Sequence, residues 1–166
     1  MNRQDEKWFI KMQRIQTIDK MLVERFPART VLAVSILNLI IGLGSFSIQL
    51  FSIIKQTPFF YLAFGIWFAA FAIFTETLSF VLIFKRSCIL FIMTIIFHLF
   101  TILVAIGLII INLIALIVAN SNSENEFLWI GYYQLFFGIL FISFSLILLT
   151  SFKIQLKQYF RIISNK

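Results

Sequence analysis

Four long apolar runs, separated by short polar links, set the pattern of this chain. They cover about Val31–Ile54, Phe59–Phe84, Cys88–Ala119 and Phe127–Ser151. A helix needs ~20 predominantly apolar residues to cross a bilayer core, and each run reaches that length. The runs are continuously apolar rather than alternating with period two, which argues against a transmembrane β-barrel. The pattern predicts an all-α integral membrane protein, a four-helix bundle with little chain left in water. Residues 1–29 form a basic segment ahead of it, residues 30–151 the four-span domain, and residues 152–166 a basic tail.

Before the first run a different period appears. Within Asp5–Phe26, the apolar residues Trp8, Met12, Ile15, Leu22 and Phe26 recur at helical steps or near multiples of them, with Lys and Arg between. This predicts an amphipathic helix lying in the interface of the inner leaflet. Lys7, Lys11, Arg14, Arg25 and Arg29 would then reach anionic headgroups. The other reading is a cytosolic helix packed on a partner or on the inner face of the bundle. Pro27 separates this helix from the first span. Gln56-Thr57-Pro58 predicts a tight turn and Asn120–Glu126 a polar loop, with Lys85-Arg86-Ser87 as a very short turn between them. Beyond Ser151 the spacing of Phe152, Leu156, Tyr159, Phe160 and Ile163 predicts that span four continues as a helix leaving the membrane.

Composition supports the class. Hydrophobic residues are 61% of the chain and charged residues 13%, where a soluble domain is nearer half and a quarter. The 22 Phe side chains are more than one water-soluble core would hide, whereas lipid solvates them. The net charge of +7 sorts by link instead of marking a nucleic-acid surface. Arg3, Lys7, Lys11, Arg14, Lys20, Arg25 and Arg29 precede span one. Lys85 and Arg86 lie in the second link, and Lys153, Lys157, Arg161 and Lys166 in the tail. The first link has Lys55 alone, and the third has no cation but holds Glu124 and Glu126. Positive flanks stay on the cytoplasmic side, so both termini and the second link are expected inside. No secretory signal peptide is visible. Cys88, the one cysteine, excludes an internal disulfide and sits at a candidate S-palmitoylation position; an inert thiol is the alternative.

Polar residues inside the runs are the candidate site, because polar groups in hydrocarbon are costly and need partners. At ~1.5 Å per residue, Asn38, Glu76 and Ser143 lie ~12 Å, and His98 ~15 Å, from the inner ends of their spans. They are expected to form one hydrogen-bonded layer, with Glu76–His98 as its central pair. The layer reads as an interhelical lock or as part of an ion or proton path, and the sparse relay favours the lock. Gln49, Asn112 and Gln134 are expected near one another toward the other end. Gly42, Gly65, Ala69, Gly107 and Gly138 are candidate close-packing positions, Gly65 and Ala69 forming a small-xxx-small pair. No catalytic triad, paired-cysteine motif or phosphate-binding glycine loop occurs, and a lone histidine excludes a histidine-clustered metal site. No cofactor and no enzymatic activity are expected.

Ala33-Val34-Ser35-Ile36-Leu37-Asn38, Gly65-Ile66-Trp67, Thr75-Glu76-Thr77-Leu78-Ser79, Lys85-Arg86-Ser87-Cys88 and Gln134-Leu135-Phe136-Phe137-Gly138-Ile139-Leu140 occur in order across the four runs. Over about Thr30–Thr150 the chain resembles the membrane-spanning four-domains subfamily A. That family carries A-V-Q-I-M-N in span one, S-G-S-L-S in span two, a basic inner turn ending in cysteine, and a similar opening to span four. Glu76 departs from it by replacing a small residue, and the third link lacks the large cysteine-paired loop of the best-known member. The resemblance implies a non-enzymatic tetraspanner that self-associates or joins receptors and channels. The expected role is an oligomeric accessory or scaffold subunit of a receptor or channel assembly, in contact with membrane lipids and favouring the plasma membrane. A pore-forming cation channel subunit and a supernumerary subunit of an organellar energy-converting complex are the alternatives.

Overall fold

A computed structural model of the chain describes residues 3–55, 63–121 and 128–164. Every regular element among them is an α-helix: α1 (Arg3–Arg25), α2 (Ala28–Lys55), α3 (Phe64–Lys85), α4 (Cys88–Ser121), α5 (Leu128–Ser151) and α6 (Lys153–Ser164). Helices are forced on such segments because in hydrocarbon each backbone N–H and C=O must be satisfied within its own segment. Four of them, α2 to α5, are long and apolar enough to cross a membrane. At ~1.5 Å per residue α4, with 34 residues, is about 51 Å long, more than the thickness of a bilayer core. Residues 56–62 and 122–127 lie outside the described residues, and with them the expected turn at Pro58, the start of span two at Phe59 and most of the Asn120–Glu126 loop.

Consecutive spans pack side by side, and α5 closes the ring on α2. Along each span the buried positions repeat every seven residues. In α2 they include Val31, Asn38, Ser45 and Ser52; in α3, Gly65, Ala72 and Ser79 alongside Phe68, Thr75 and Leu82. In α4 they include Phe91, His98 and Ala105, and in α5 Gln134, Phe141 and Leu148. Seven residues per two turns is the period of left-handed helix crossing, common in membrane bundles. A straight helix would drift off the seam, so this repeat keeps one narrow stripe of every span facing inward.

The stripes stack into alternating layers. At one end Val31, Val34, Leu82, Cys88, Phe91, Leu148 and Phe152 form an apolar cluster. A polar layer follows. Beyond it Ile41, Phe68, Ala72, Ala105, Leu108 and Phe141 form a second apolar cluster, in which Phe68 meets Phe141 edge to face at 5.0 Å. A second polar layer lies toward the far end. Close approach of α2 to α3 depends on Gly42: a Cβ there would sit 3.1 Å from the Cβ of Ala72. Gly138 likewise lets α5 approach α4, since its Cβ would meet Ile109 at 2.8 Å and the Ala105 carbonyl oxygen at 3.5 Å.

α1 and α6 pack together across the end that carries the first cluster. Ile18, Leu22 and Phe26 enter that cluster, and Phe26 stacks on Phe152 at 5.9 Å. The second half of the apolar stripe of α1 is therefore covered by protein, whereas Trp8 and Met12 stay exposed. α3 ends where Arg86 turns left-handed (φ 42°) and its N–H closes on the Leu82 carbonyl. The arginine then holds α1, its Nη1 donating to the Val23 carbonyl at 2.7 Å. Asp19 of α1 accepts the N–H of Cys88 at 2.6 Å, satisfying one of the orphan donors at the start of α4. The break between α5 and α6 is slight, as the Phe152 N–H is shared between the carbonyls of Leu148 and Leu149.

Candidate functional site

Asn38, Glu76 and His98 converge from α2, α3 and α4, all fully buried. The Nδ2 of Asn38 donates to Glu76 Oε1 at 2.8 Å and approaches Ser145 Oγ at 3.4 Å. His98 Nε2 lies 3.4 Å from the same carboxylate oxygen, an electrostatic contact longer than an ordinary N–H···O hydrogen bond.

The imidazole tautomer follows from its other nitrogen. Nδ1 lies 2.9 Å from the Thr94 carbonyl oxygen, which accepts only, so Nδ1 carries a proton. Nε2 is then the nitrogen turned toward Glu76, without a hydrogen-bond partner of its own. Among the described residues no three His, Cys, Asp or Glu side chains gather.

Thr75 and Thr101 add a rung between α3 and α4 with their hydroxyls 2.7 Å apart. Thr101 spends its proton on the Phe97 carbonyl at 2.8 Å, so Thr75 donates to Thr101. Ser79 donates to the Thr75 carbonyl. Four atoms of this layer are buried without a hydrogen-bond partner: Ser35 Oγ, Asn38 Oδ1, Glu76 Oε2 and His98 Nε2.

The expected fourth member, Ser143, is not in the layer. It is exposed on the outer face of α5 and donates to its own Ile139 carbonyl at 2.9 Å. Ser145 takes the inward place. Two residues along a helix are ~200° of rotation, so depth alone carries no facing.

In the second polar layer, Ser45 and Gln134 exchange two bonds between α2 and α5. Ser45 Oγ donates to Gln134 Oε1 at 2.7 Å, and Gln134 Nε2 donates to the Ser45 carbonyl at 3.0 Å. Gln49 Oε1 accepts the Gly65 N–H at 3.1 Å, meeting an orphan donor in the first turn of α3. Gly65 makes this possible: a Cβ there would lie 2.8 Å from both Gln49 and Gln134. Its role is thus to admit two side chains rather than to let two backbones touch. Asn112, expected beside the glutamines, instead donates to its own Leu108 carbonyl at 2.8 Å. Ser45, which the depth argument passed over, supplies the partner.

The small residues sit between helices of this one chain. Gly42, Gly65, Ala69 and Gly138 are buried there, and Gly107, half-buried, stands against Phe64. A second copy does not find them on the outer surface. Cys88 is enclosed in the α1-capped cluster, not presented for acylation. Arg29 is exposed, while the side chains of Lys7, Lys11, Arg14 and Arg25 lie outside the described ones, and with them their expected headgroup contacts.

The fold and its layers define a class, a helical bundle with four candidate membrane spans and a polar interior. Comparison with protein families, with characterised proteins and with solved structures gives no match.

Proposed function

We propose that this chain is a non-enzymatic tetraspanning membrane protein that serves as an oligomeric accessory or scaffold subunit of a receptor or channel assembly. Its relation to the membrane-spanning four-domains subfamily A belongs to this proposal, as do cytoplasmic termini and the plasma membrane. The amphipathic reading of α1 belongs here too, with Trp8, Phe9 and Met12 exposed on its free half to enter the leaflet.

One observation carries the reading. The Glu76 layer is closed on both sides, by the Phe68–Phe141 cluster toward one end and by the Leu82–Phe91–Leu148 cluster toward the other. The polar groups are used to hold four helices in register. Outward faces keep large apolar side chains such as Trp67, Phe84, Leu103, Tyr132 and Phe136, which suit lipid and partner helices. The full burial of Glu76 also weighs against a pore at an oligomer axis, because the carboxyl faces its own bundle. A water path along it would have to pass both aromatic plugs.

The test is gentle solubilisation followed by native mass measurement of the complex. The expected result is this chain in a defined stoichiometry with itself or with other membrane proteins. A homogeneous monomer, together with cation flux in liposomes that Glu76→Gln abolishes, would replace the scaffold reading by the channel one. Imaging of a tagged chain separates the plasma membrane from an organellar complex.

A further inference from the structure

At the α1/α6 end, one continuous stripe runs across the junction of α5 and α6. Leu146, Leu149, Thr150, Lys153, Leu156 and Lys157 follow each other at helical steps and line an open groove of about 420 Å³. That is within the range of small-ligand sites (~300–1,000 Å³). The stripe changes character along its length. On α5, the fourth candidate span, it is leucine. Beyond Ser151, where the candidate span ends, it presents two exposed lysines one helical turn apart. α6 contains Lys153, Lys157 and Arg161 and no acidic residue to neutralise them. Thr150 stands between the two zones, its hydroxyl donating to the Ile147 carbonyl and leaving its oxygen free to accept.

A ligand for this groove has the same order of polarity: a hydrocarbon chain, then a polar linkage, then a negative charge. We propose that the groove at the α5–α6 junction binds one anionic phospholipid, its acyl chain along Leu146 and Leu149 and its phosphate between Lys153 and Lys157. Cations at this depth attract anionic headgroups, and aliphatic stems let lysines cover the apolar floor while their ammonium groups reach the phosphate. The site requires only that α5 spans a bilayer. It is separate from the basic residues of α1, and it places a bound lipid against the helix that closes the first core cluster. The scaffold reading plays no part in it.

The test uses the full chain in nanodiscs containing phosphatidylcholine with a small fraction of photoactivatable lipid, a diazirine in its acyl chain. One arm carries the label on phosphatidylglycerol, the other on phosphatidylcholine. Labelled peptides are located by mass spectrometry. The expected result is labelling of the segment around Leu146 and Leu149 that is about tenfold stronger for phosphatidylglycerol, from the attraction of two lysines at the surface. Lys153→Ala with Lys157→Ala should bring the two arms to parity, while Lys153→Arg with Lys157→Arg should keep the preference. Both lysines are exposed, so an unchanged circular dichroism melt serves as the folding control. Equal labelling in the two arms, or a preference that survives the double alanine change, overturns the proposal. Full competition by millimolar glycerol phosphate also overturns it, since the site would then recognise free phosphate rather than lipid.

Discussion

The two polar layers of the bundle differ in how completely they satisfy themselves. Ser45 and Gln134 close a reciprocal pair, and Gln49 meets a backbone donor of α3. The Glu76 layer instead holds an ionisable pair and leaves four buried atoms without hydrogen-bond partners. Each such atom costs about 1–3 kcal/mol of desolvation, so this layer holds its helices together less efficiently. The Gln134 layer is thus a stabilising clasp, while the Glu76 layer specifies which helix faces meet. An arrangement that misaligned α3 and α4 would leave a carboxyl or an imidazole in lipid, a larger penalty than any lost van der Waals contact.

Substitution at the centre of the Glu76 layer gives the largest effect. Glu76→Ala strands the Asn38 amide and the His98 imidazole and opens a cavity. It should cost about 3 kcal/mol, within the range for removing one partner of a buried pair, read as a lower unfolding midpoint in detergent. An unchanged midpoint would mean that the layer does not lock the bundle.

Glu76→Gln separates the shape of this side chain from its acidity. An amide oxygen in the place of Oε1 still accepts from Asn38 Nδ2 and keeps the side-chain volume, so this change should cost under about 1 kcal/mol. If it instead matches the alanine variant, the layer needs a carboxyl group at this position and not merely an acceptor of the same size.

Gly65→Ala attacks the other layer by volume alone. Its Cβ would collide with both glutamines at 2.8 Å, and about 1–3 kcal/mol should be lost. The amide hydrogen of Gly65 should exchange faster in the variant, as Gln49 is displaced.

Asp19→Ala should cost about 1 kcal/mol, the usual worth of a helix N-cap, and should release α1 so that the Cys88 thiol reacts with maleimide. Continued protection of Cys88 would show that the apolar contacts of Ile18 and Leu22 hold α1 without the cap.

The smallest effects come from paired substitutions two residues apart. Ser145→Ala should cost a few tenths of a kcal/mol to about 1 kcal/mol, whereas Ser143→Ala should be neutral within error. The same contrast separates Ser45 from Ser47 and Thr75 from Thr77. The first of each pair bonds across helices, and the second donates to a carbonyl of its own helix.

Length and hydropathy alone determined the number of candidate spans and their helical state, because hydrocarbon leaves a backbone no other way to satisfy its polar groups. Rise per residue also brought Asn38, Glu76 and His98 to one depth, and the structure joins them. Facing was another matter. In a run that is apolar all round, no amphipathic signal marks the inward stripe, so Ser143 and Ser145, or Asn112 and Ser45, look alike until neighbouring helices fix the rotation. The same holds for α1, whose stripe of Ile15, Leu22 and Phe26 suits a membrane surface or a protein surface equally. Only the tertiary arrangement committed its second half to the bundle, through an Asp19 bond to a backbone 69 positions away. Composition sets how much of a chain enters lipid; which side chains meet there depends on helix rotation and register, which are properties of the assembled bundle and not of any single helix.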